Sequence, residues 1–122
     1  MSIEQNKAVL RHWLEGWNRG DVDQQVALAD EVYTTDFCGH GHGPTLEDVK
    51  QHVRKYHNPG VGTLTIEDMI GEGDKVAARF TYRWTDKSTG KPMVERWMSI
   101  ARFSAGKIAE EWALVKPPES HT

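Results

Sequence analysis

The glycine-rich segment at residues 38–44 carries the first residues with acid–base potential. Its sequence is Cys38-Gly39-His40-Gly41-His42-Gly43-Pro44. A histidine near its ordinary pKa of ~6.5 transfers protons readily at neutral pH. We therefore predict His42 as a catalytic residue and His40 as a substrate-binding residue. The alternative, that both are solvated loop histidines without a chemical role, stays open at this point.

The same segment carries potential metal ligands at alternate positions. Cys38, His40 and His42 would share one side of an extended chain. A zinc site needs three or four ligands in suitable geometry, and His52 and His57 are not spaced to share one helix face. The sequence therefore predicts no metal ligands. Nothing specific marks Cys38 as a nucleophile, so structural burial is its default interpretation.

Helices before and after the glycine-rich segment must position its histidines. Ser2 and Gln5 match a capping box at the start of a first helix, and apolar residues recur at the helical period through Trp17. A weaker pattern over 22–30 predicts a second helix. Thr45 begins a third helix, which an Asn-Pro-Gly sequence ends. A short stretch at 32–37 is β-prone, and the segment that follows it, from Cys38 to Pro44, is expected to be a loop.

From Thr63 onward the apolar period changes to two, which is typical of strands. Four strands are predicted, at about 63–70, 75–86, 93–103 and 108–115. The turns between them are short, so the strands are expected to be antiparallel neighbours. Pro117-Pro118 is expected to stop the last strand.

Alternation along these strands assigns their side chains to faces. Tyr82 shares one face with Phe80, and Arg79 lies on the other. On the last strand Glu110 and Trp112 share one face with Ile108. A buried Arg79 would bind a carboxylate or enolate oxygen, whereas on an outer face it would be solvated or support a dimer.

Composition excludes several classes of protein. The chain has 122 residues, 38% hydrophobic and 27% charged, which fits one globular domain over 1–122. The net charge is -3 and the basic residues are scattered, so nucleic acid is not an expected partner. The chain has no apolar run long enough for a membrane span and no signal-peptide pattern at its start. With one cysteine, a cytoplasmic location is the simplest expectation.

Three motifs resemble one known superfamily. They are Trp17-Asn18-Arg19-Gly20-Asp21 after the first helix, Gly73–Phe80, and Arg102-Phe103-Ser104-Ala105-Gly106-Lys107-Ile108-Ala109-Glu110-Glu111-Trp112. In this order they resemble nuclear transport factor 2-like proteins, and among these the SnoaL-like polyketide cyclases and ketosteroid-isomerase-like proteins. The resemblance implies a cone-shaped α+β barrel, with three N-terminal helices packed on a curved, mostly antiparallel sheet. It also implies a deep apolar pocket, a homodimer, and no metal or organic cofactor.

The resemblance adds roles for strand residues. It implies that Trp112 faces the pocket or its edge, which would leave Glu110 semi-buried and raise its pKa toward a catalytic value. Glu110 is therefore our second predicted catalytic residue, with a salt bridge to Arg96 or Arg102 as the alternative. The other predicted substrate-binding residues are Tyr56, Arg79, Tyr82, Glu95, Trp97 and Trp112.

One position departs from the family pattern. SnoaL-like cyclases have an aspartate four residues after the final-strand tryptophan, and this chain has Lys116 there. The expected function is binding of a small hydrophobic molecule, with acid–base lyase or isomerase activity of the cyclase type on a carbonyl compound. The alternative is a non-catalytic ligand-binding or dimerisation module, because the fold alone does not settle function.

Overall fold

The computed structural model describes residues 2–41 and 43–120, within which three α-helices pack on a five-stranded sheet. The helices are α1 (Ile3–Glu15), α2 (Val22–Val32) and α3 (Leu46–Tyr56), and a 3-10 turn at Gly16–Asn18 follows α1. The strands are β1 (Tyr33–His40), β2 (Gly62–Glu72), β3 (Lys75–Thr85), β4 (Pro92–Ser104) and β5 (Lys107–Ser120). None of the helices in these two described ranges has the length and apolar content of a membrane-crossing segment.

The sheet order is β1-β5-β4-β3-β2. β1 pairs in parallel with β5, and the other neighbours are antiparallel. This arrangement confirms the predicted α+β class with a mostly antiparallel sheet. The predicted capping box at Ser2 is confirmed, since its side chain accepts from the Gln5 backbone N–H and the Gln5 side chain accepts in return. Thr45 and Asp48 form the same motif at the start of α3.

Two predicted boundaries are wrong. β1 continues through Cys38 to His40, because its backbone pairs with β5 beyond the point where the glycines suggested a loop. β5 continues past Pro117-Pro118 to Ser120. One proline is tolerated there because β1 ends opposite Trp112, so the later part of β5 has a free edge on that side. The other is tolerated because the β4–β5 register shifts between Val94 and Arg96, which interrupts that ladder opposite Pro117-Pro118.

The helices cover one face of the sheet, here called the inner face, and the opposite face is called the outer face. The inner face carries Val76, Ala78 and Phe80, as the alternation on β3 predicted. These side chains pack in the core with residues of the helices such as Leu10 and Val53, which are 1% and 0% exposed. Burial of this apolar surface is the main stabilising contribution to the fold.

A β-bulge on β5 changes which of its side chains point inward. Phe103 pairs with Ile108, but Arg102 pairs with Glu110, so Ala109 is an extra residue between the two pairs. An extra residue reverses the alternation that follows it. Ile108 is fully buried at the inner face, and the inward positions after the bulge are Glu111, Ala113 and Val115. The prediction that Glu110 and Trp112 share a face with Ile108 is therefore wrong.

The Asn18 side chain fastens the end of the 3-10 turn to the sheet. Its amide donates to the Leu64 carbonyl and accepts from the Leu64 N–H, both at 2.7 Å. We expect Asn18→Ala to lower the free energy of unfolding by about 1–3 kcal/mol, because both Leu64 groups lose their partner. Asn18→Asp keeps the acceptor without the donor and should recover part of that loss. Urea denaturation measures both variants, and an unchanged midpoint for Asn18→Ala would contradict this role.

Candidate functional site

A cavity of about 800 Å³ lies between the inner face of the sheet and helices α1 and α3. Its apolar lining includes Trp13, Leu14, Trp17, Phe37, Val49, Leu64, Phe80, Trp84, Trp97, Ala113 and Val115. The polar side chains of its lining are Tyr33, His52, Lys55, Tyr56, Asn58, Tyr82, Glu95, Ser99 and Glu111. Tyr56, Val61 and Val115 are 51%, 40% and 40% exposed, so they mark its open side.

Aromatic rings fix the shape of the apolar wall. Trp97 stacks on Phe80 with ring centroids 5.8 Å apart and planes 8° apart. Tyr33 meets Trp13 edge-to-face at 5.2 Å and Phe37 at 4.8 Å. Such pairs hold large side chains in defined positions and add to the stability gained by burial. The cavity is therefore a preformed, mostly apolar space with polar groups on its wall, the usual form of a small-molecule site.

Glu111 is a carboxyl of this wall whose pKa is strongly shifted. Burial raises the pKa of its carboxyl from 4.5 to about 7, because the charged form is poorly solvated there. No hydrogen bond or ion pair from another described residue offsets this desolvation. A carboxyl with such a pKa exists in both protonation states at neutral pH and can accept or donate a proton.

Tyrosines supply hydrogen-bond donors beside the cavity carboxyls. Burial, and then the charge of Glu111, raise the pKa of Tyr33 well above its ordinary value. Burial, and then Glu95, raise the pKa of Tyr82. Both hydroxyls therefore stay protonated at neutral pH. Glu95 accepts a hydrogen bond of 2.6 Å from the indole N–H of Trp97, so this second carboxylate is already engaged.

His52 brings an imidazole to the same cavity from α3. Its ring lies 4.7 Å from the Tyr56 ring and 5.5 Å from the Trp17 ring, measured between centroids. The imidazole also faces Trp97 at 6.4 Å. Aromatic contacts on several sides hold its position in the wall.

The predicted site residues divide between the two faces of the sheet. Four of them line the cavity: Tyr56, Tyr82, Glu95 and Trp97. Four others lie on the outer face: His40, Arg79, Glu110 and Trp112. His42 lies outside the residues that the structure describes.

The charged site residues of the outer face form ion pairs with one another or with neighbouring residues. Arg79 pairs with Asp68 at 2.7 Å, so its predicted contact with a pocket ligand is not supported by its position. Glu110 lies 2.7 Å from His40 and 3.0 Å from Arg102. Hydrogen bonds from His40 and then Arg102 lower the pKa of Glu110. The Glu110 side chain is semi-buried as expected, at 25% exposed. The expected rise of its pKa is wrong, and the salt bridge with Arg102 is the alternative that the structure supports.

The expected pocket orientation of Trp112 is also wrong, because the bulge at Ala109 turns it outward. Trp112 is 38% exposed, and its indole stacks on the His40 ring with centroids 5.3 Å apart. Lys116 is exposed as expected, with a side-chain exposure of 63%, and pairs with Glu119 at 3.4 Å.

The sequence patterns did not predict three residues of the cavity wall, which are Glu111, His52 and Tyr33. One signal for Glu111 exists in the sequence. Ile108 and Ala113 both need burial, yet five positions separate them, and strict alternation would put them on opposite faces. A bulge between them lets both side chains face inward, and it turns Glu111 inward with Ala113.

Comparisons with known proteins agree with this architecture. A model of the SnoaL-like domain matches residues 10–111. TsrD from Streptomyces laurentii superposes with a TM-score of 0.74 at 18% identity, over 95% of this chain and 91% of its own. IdmH, a candidate polyketide cyclase from Streptomyces antibioticus, superposes with a TM-score of 0.72 at 23% identity, over 92% of each chain.

A candidate SnoaL-like polyketide cyclase from Jannaschia sp. CCS1 gives a TM-score of 0.72 at 16% identity, over 95% of this chain and 89% of its own. At these identities the superpositions establish the fold and leave the activity to be argued from the site. Among curated proteins, none matches the sequence significantly.

Proposed function

This chain belongs to the family of SnoaL-like domains, and on that premise we propose that it is an acid–base enzyme acting on a small, largely apolar carbonyl compound. The observation that carries the proposal is Glu111, a carboxyl with a pKa of about 7 on the wall of an aromatic cavity. Perturbed carboxyls in clefts mark functional sites more often than surface carboxyls do.

The cavity indicates the class of substrate. Its volume of about 800 Å³ falls within the ~300–1,000 Å³ range of small-molecule sites. Stacked rings such as Phe80 and Trp97 favour a flat or cyclic apolar body. The protonated hydroxyls of Tyr33 and Tyr82 would donate to a carbonyl oxygen of such a ligand.

The reaction begins with removal of a proton from the carbon next to the carbonyl. The ionised Glu111 carboxylate takes that proton, and the electrons of the broken C–H bond move into the enolate. The oxygen that gains negative charge accepts a hydrogen bond from a tyrosine of the cavity wall. Tyr33 is the proposed donor, because it lies close enough to Glu111 for the carboxylate charge to raise its pKa. Protonated Glu111 then returns the proton at another carbon, or to the oxygen formed when the enolate closes a ring.

The proposal is tested by exchange of carbon-bound hydrogen in D₂O. Polyketide-like and keto-steroid compounds are incubated with the protein, and deuterium uptake next to the carbonyl is followed by mass spectrometry. We expect at least one compound to exchange faster with protein than in buffer, and to do so through Glu111. If no compound exchanges faster than in buffer, the acid–base activity is wrong.

A non-catalytic binder is the second candidate, and Lys116 favours it. The family's catalytic aspartate position holds an exposed lysine paired with Glu119, so this chain lacks that acid. Native mass spectrometry of protein purified from its source would show a retained apolar ligand under both candidates. A ligand without proton exchange would favour the binder.

We further propose that the chain forms a homodimer through its outer face. Exposed apolar side chains cluster there on neighbouring strands: Ile70, Met98, Ile100, Trp112 and Leu114. Leu114 is 77% exposed and faces Met98 across the β4–β5 pair. Such clusters mark interfaces more often than solvent-facing surface.

The predicted cytoplasmic location likewise remains a proposal.

The dimer is tested by light scattering on Leu114→Lys, with Ser104→Lys at an exposed end of β4 as control. We expect the parent and the control to have the mass of two chains and Leu114→Lys to have the mass of one. A monomeric parent would contradict the dimer.

A further inference from the structure

The outer face holds a cluster of three metal-ligand types that the cavity chemistry does not use. Cys38 and His40 are two residues apart on β1 and therefore point to the same side. The parallel pairing of β1 with β5 places Glu110 opposite Cys38. We propose that the Cys38 thiolate, the His40 imidazole and the Glu110 carboxylate form a binding site for a divalent transition metal of the zinc type.

The three ligand atoms lie close enough together to reach one ion. His40 Nε2 lies 2.7 Å from Glu110 Oε2 and 3.8 Å from Cys38 Sγ. All three ligand atoms lie within 4.8 Å of one another. A tetrahedral zinc with bonds of about 2.0–2.3 Å holds its ligand atoms about 3.3–3.6 Å apart, so shifts of about 1 Å in these three side chains would bring them to one ion.

The arrangement differs from that of a cysteine nucleophile with a histidine base. In a catalytic triad of that kind, the thiol contacts one ring nitrogen of the histidine and the orienting carboxylate contacts the other. Here Sγ of Cys38 and Oε2 of Glu110 both face Nε2 of His40. Three donor atoms that converge on one point suit a cation between them.

Neighbouring residues hold two of the ligands in place. Arg102 Nε donates to Oε1 of Glu110 at 3.0 Å, which leaves Oε2 facing His40. The Trp112 indole stacks on the His40 ring with planes 15° apart, which fixes the plane of the imidazole. Outer-shell contacts of this kind orient metal ligands and strengthen binding.

The donor set selects the class of metal. One thiolate, one imidazole and one carboxylate suit Zn²⁺ and Co²⁺ better than Mg²⁺ or Ca²⁺, which prefer all-oxygen sites. Cys38 is exposed on the edge strand β1 and is not part of the apolar cluster proposed for the dimer, so a solvent molecule can take the fourth tetrahedral position. The spacing of residues 38–42 could not show this site, because its third ligand lies 70 residues away from His40.

Co²⁺ titration of the reduced, tag-free protein tests the site. Cys38 is the chain's one cysteine, so a thiolate-to-cobalt charge-transfer band reports this residue alone. We expect one Co²⁺ per chain with this band, and its loss when Zn²⁺ displaces the cobalt. Cys38→Ser should abolish the band, and His40→Ala and Glu110→Gln should each weaken binding at least about tenfold.

Glu111→Gln is the matched control, since residue 111 is adjacent in sequence but faces the cavity; it should bind Co²⁺ like the parent. Circular dichroism of each variant separates lost ligation from misfolding. Absence of the band with a several-fold excess of Co²⁺, or equal affinity in the parent and in correctly folded His40→Ala and Glu110→Gln, would overturn the site. Neither outcome bears on the activity proposed for the cavity.

Discussion

The Glu111→Gln variant is expected to lose enzyme-dependent proton exchange by about 10²–10⁴-fold, the range that a positioned acid–base group contributes. Glutamine keeps nearly the same size and can still fill the wall, but it cannot accept the proton. Glu110→Gln is the matched control, because it makes the same chemical change one residue away on the outer face. Its exchange rate should stay within about threefold of the parent, since no atom of Glu110 faces the cavity.

The pH profile of the parent gives this prediction a second readout. The carboxylate form of Glu111 is the base, and its pKa is about 7. The exchange rate should therefore rise as pH increases through 7 and level off above it. A Glu111→Gln rate equal to that of the parent, with Glu110→Gln impaired instead, would place the chemistry on the outer face and contradict the proposed site.

At pH 8, Glu111→Gln is expected to be more stable than the parent by about 1–3 kcal/mol. Burial raises the pKa of Glu111 from 4.5 to about 7, so the folded protein holds this proton more tightly than the unfolded chain. The stability associated with the proton is complete below the unfolded-state pKa of 4.5 and is lost as pH rises through about 7. Above that pH the folded state contains a poorly solvated charge, which glutamine removes.

Urea denaturation at pH 4.5, 6 and 8 measures this difference. The advantage of Glu111→Gln over the parent should be small at pH 4.5 and should grow toward pH 8. Glu110→Gln should behave in the opposite way, because its partners stabilise the charged form of Glu110. A Glu111→Gln advantage that does not change with pH would show that the parent pays no charge-burial penalty at this residue.

The sequence predicted the architecture well, because local signals agree with the tertiary arrangement. The capping boxes at Ser2 and Thr45 mark two helix starts, and the period-two pattern of β3 identifies its inner face. The errors lie where pairing between distant segments decides the outcome. Cys38 to His40 extends as a strand because β5 is available to pair with it, which no local pattern in this glycine-rich segment shows.

The site was harder to predict because one inserted residue reverses the faces of a strand. Tyr82, Glu95 and Trp97 lie in the β3–β4 pair, whose register is regular throughout, and all three line the cavity. Glu110 and Glu111 follow the bulge at Ala109, so their orientations are the reverse of those expected from the strand's start. Two adjacent glutamates thus have opposite environments, one neutralised by ion pairs and one desolvated in a wall.

The most direct test is a carbon-13 NMR titration of the side-chain carboxyl groups of glutamate, with Glu111→Gln used to assign the signal of Glu111. We expect one glutamate signal in the parent to titrate with a midpoint near pH 7, and that signal to be absent from the Glu111→Gln spectrum. A Glu111 midpoint at or below its ordinary value of 4.5 would contradict the proposal that this residue is a proton-transfer group at neutral pH.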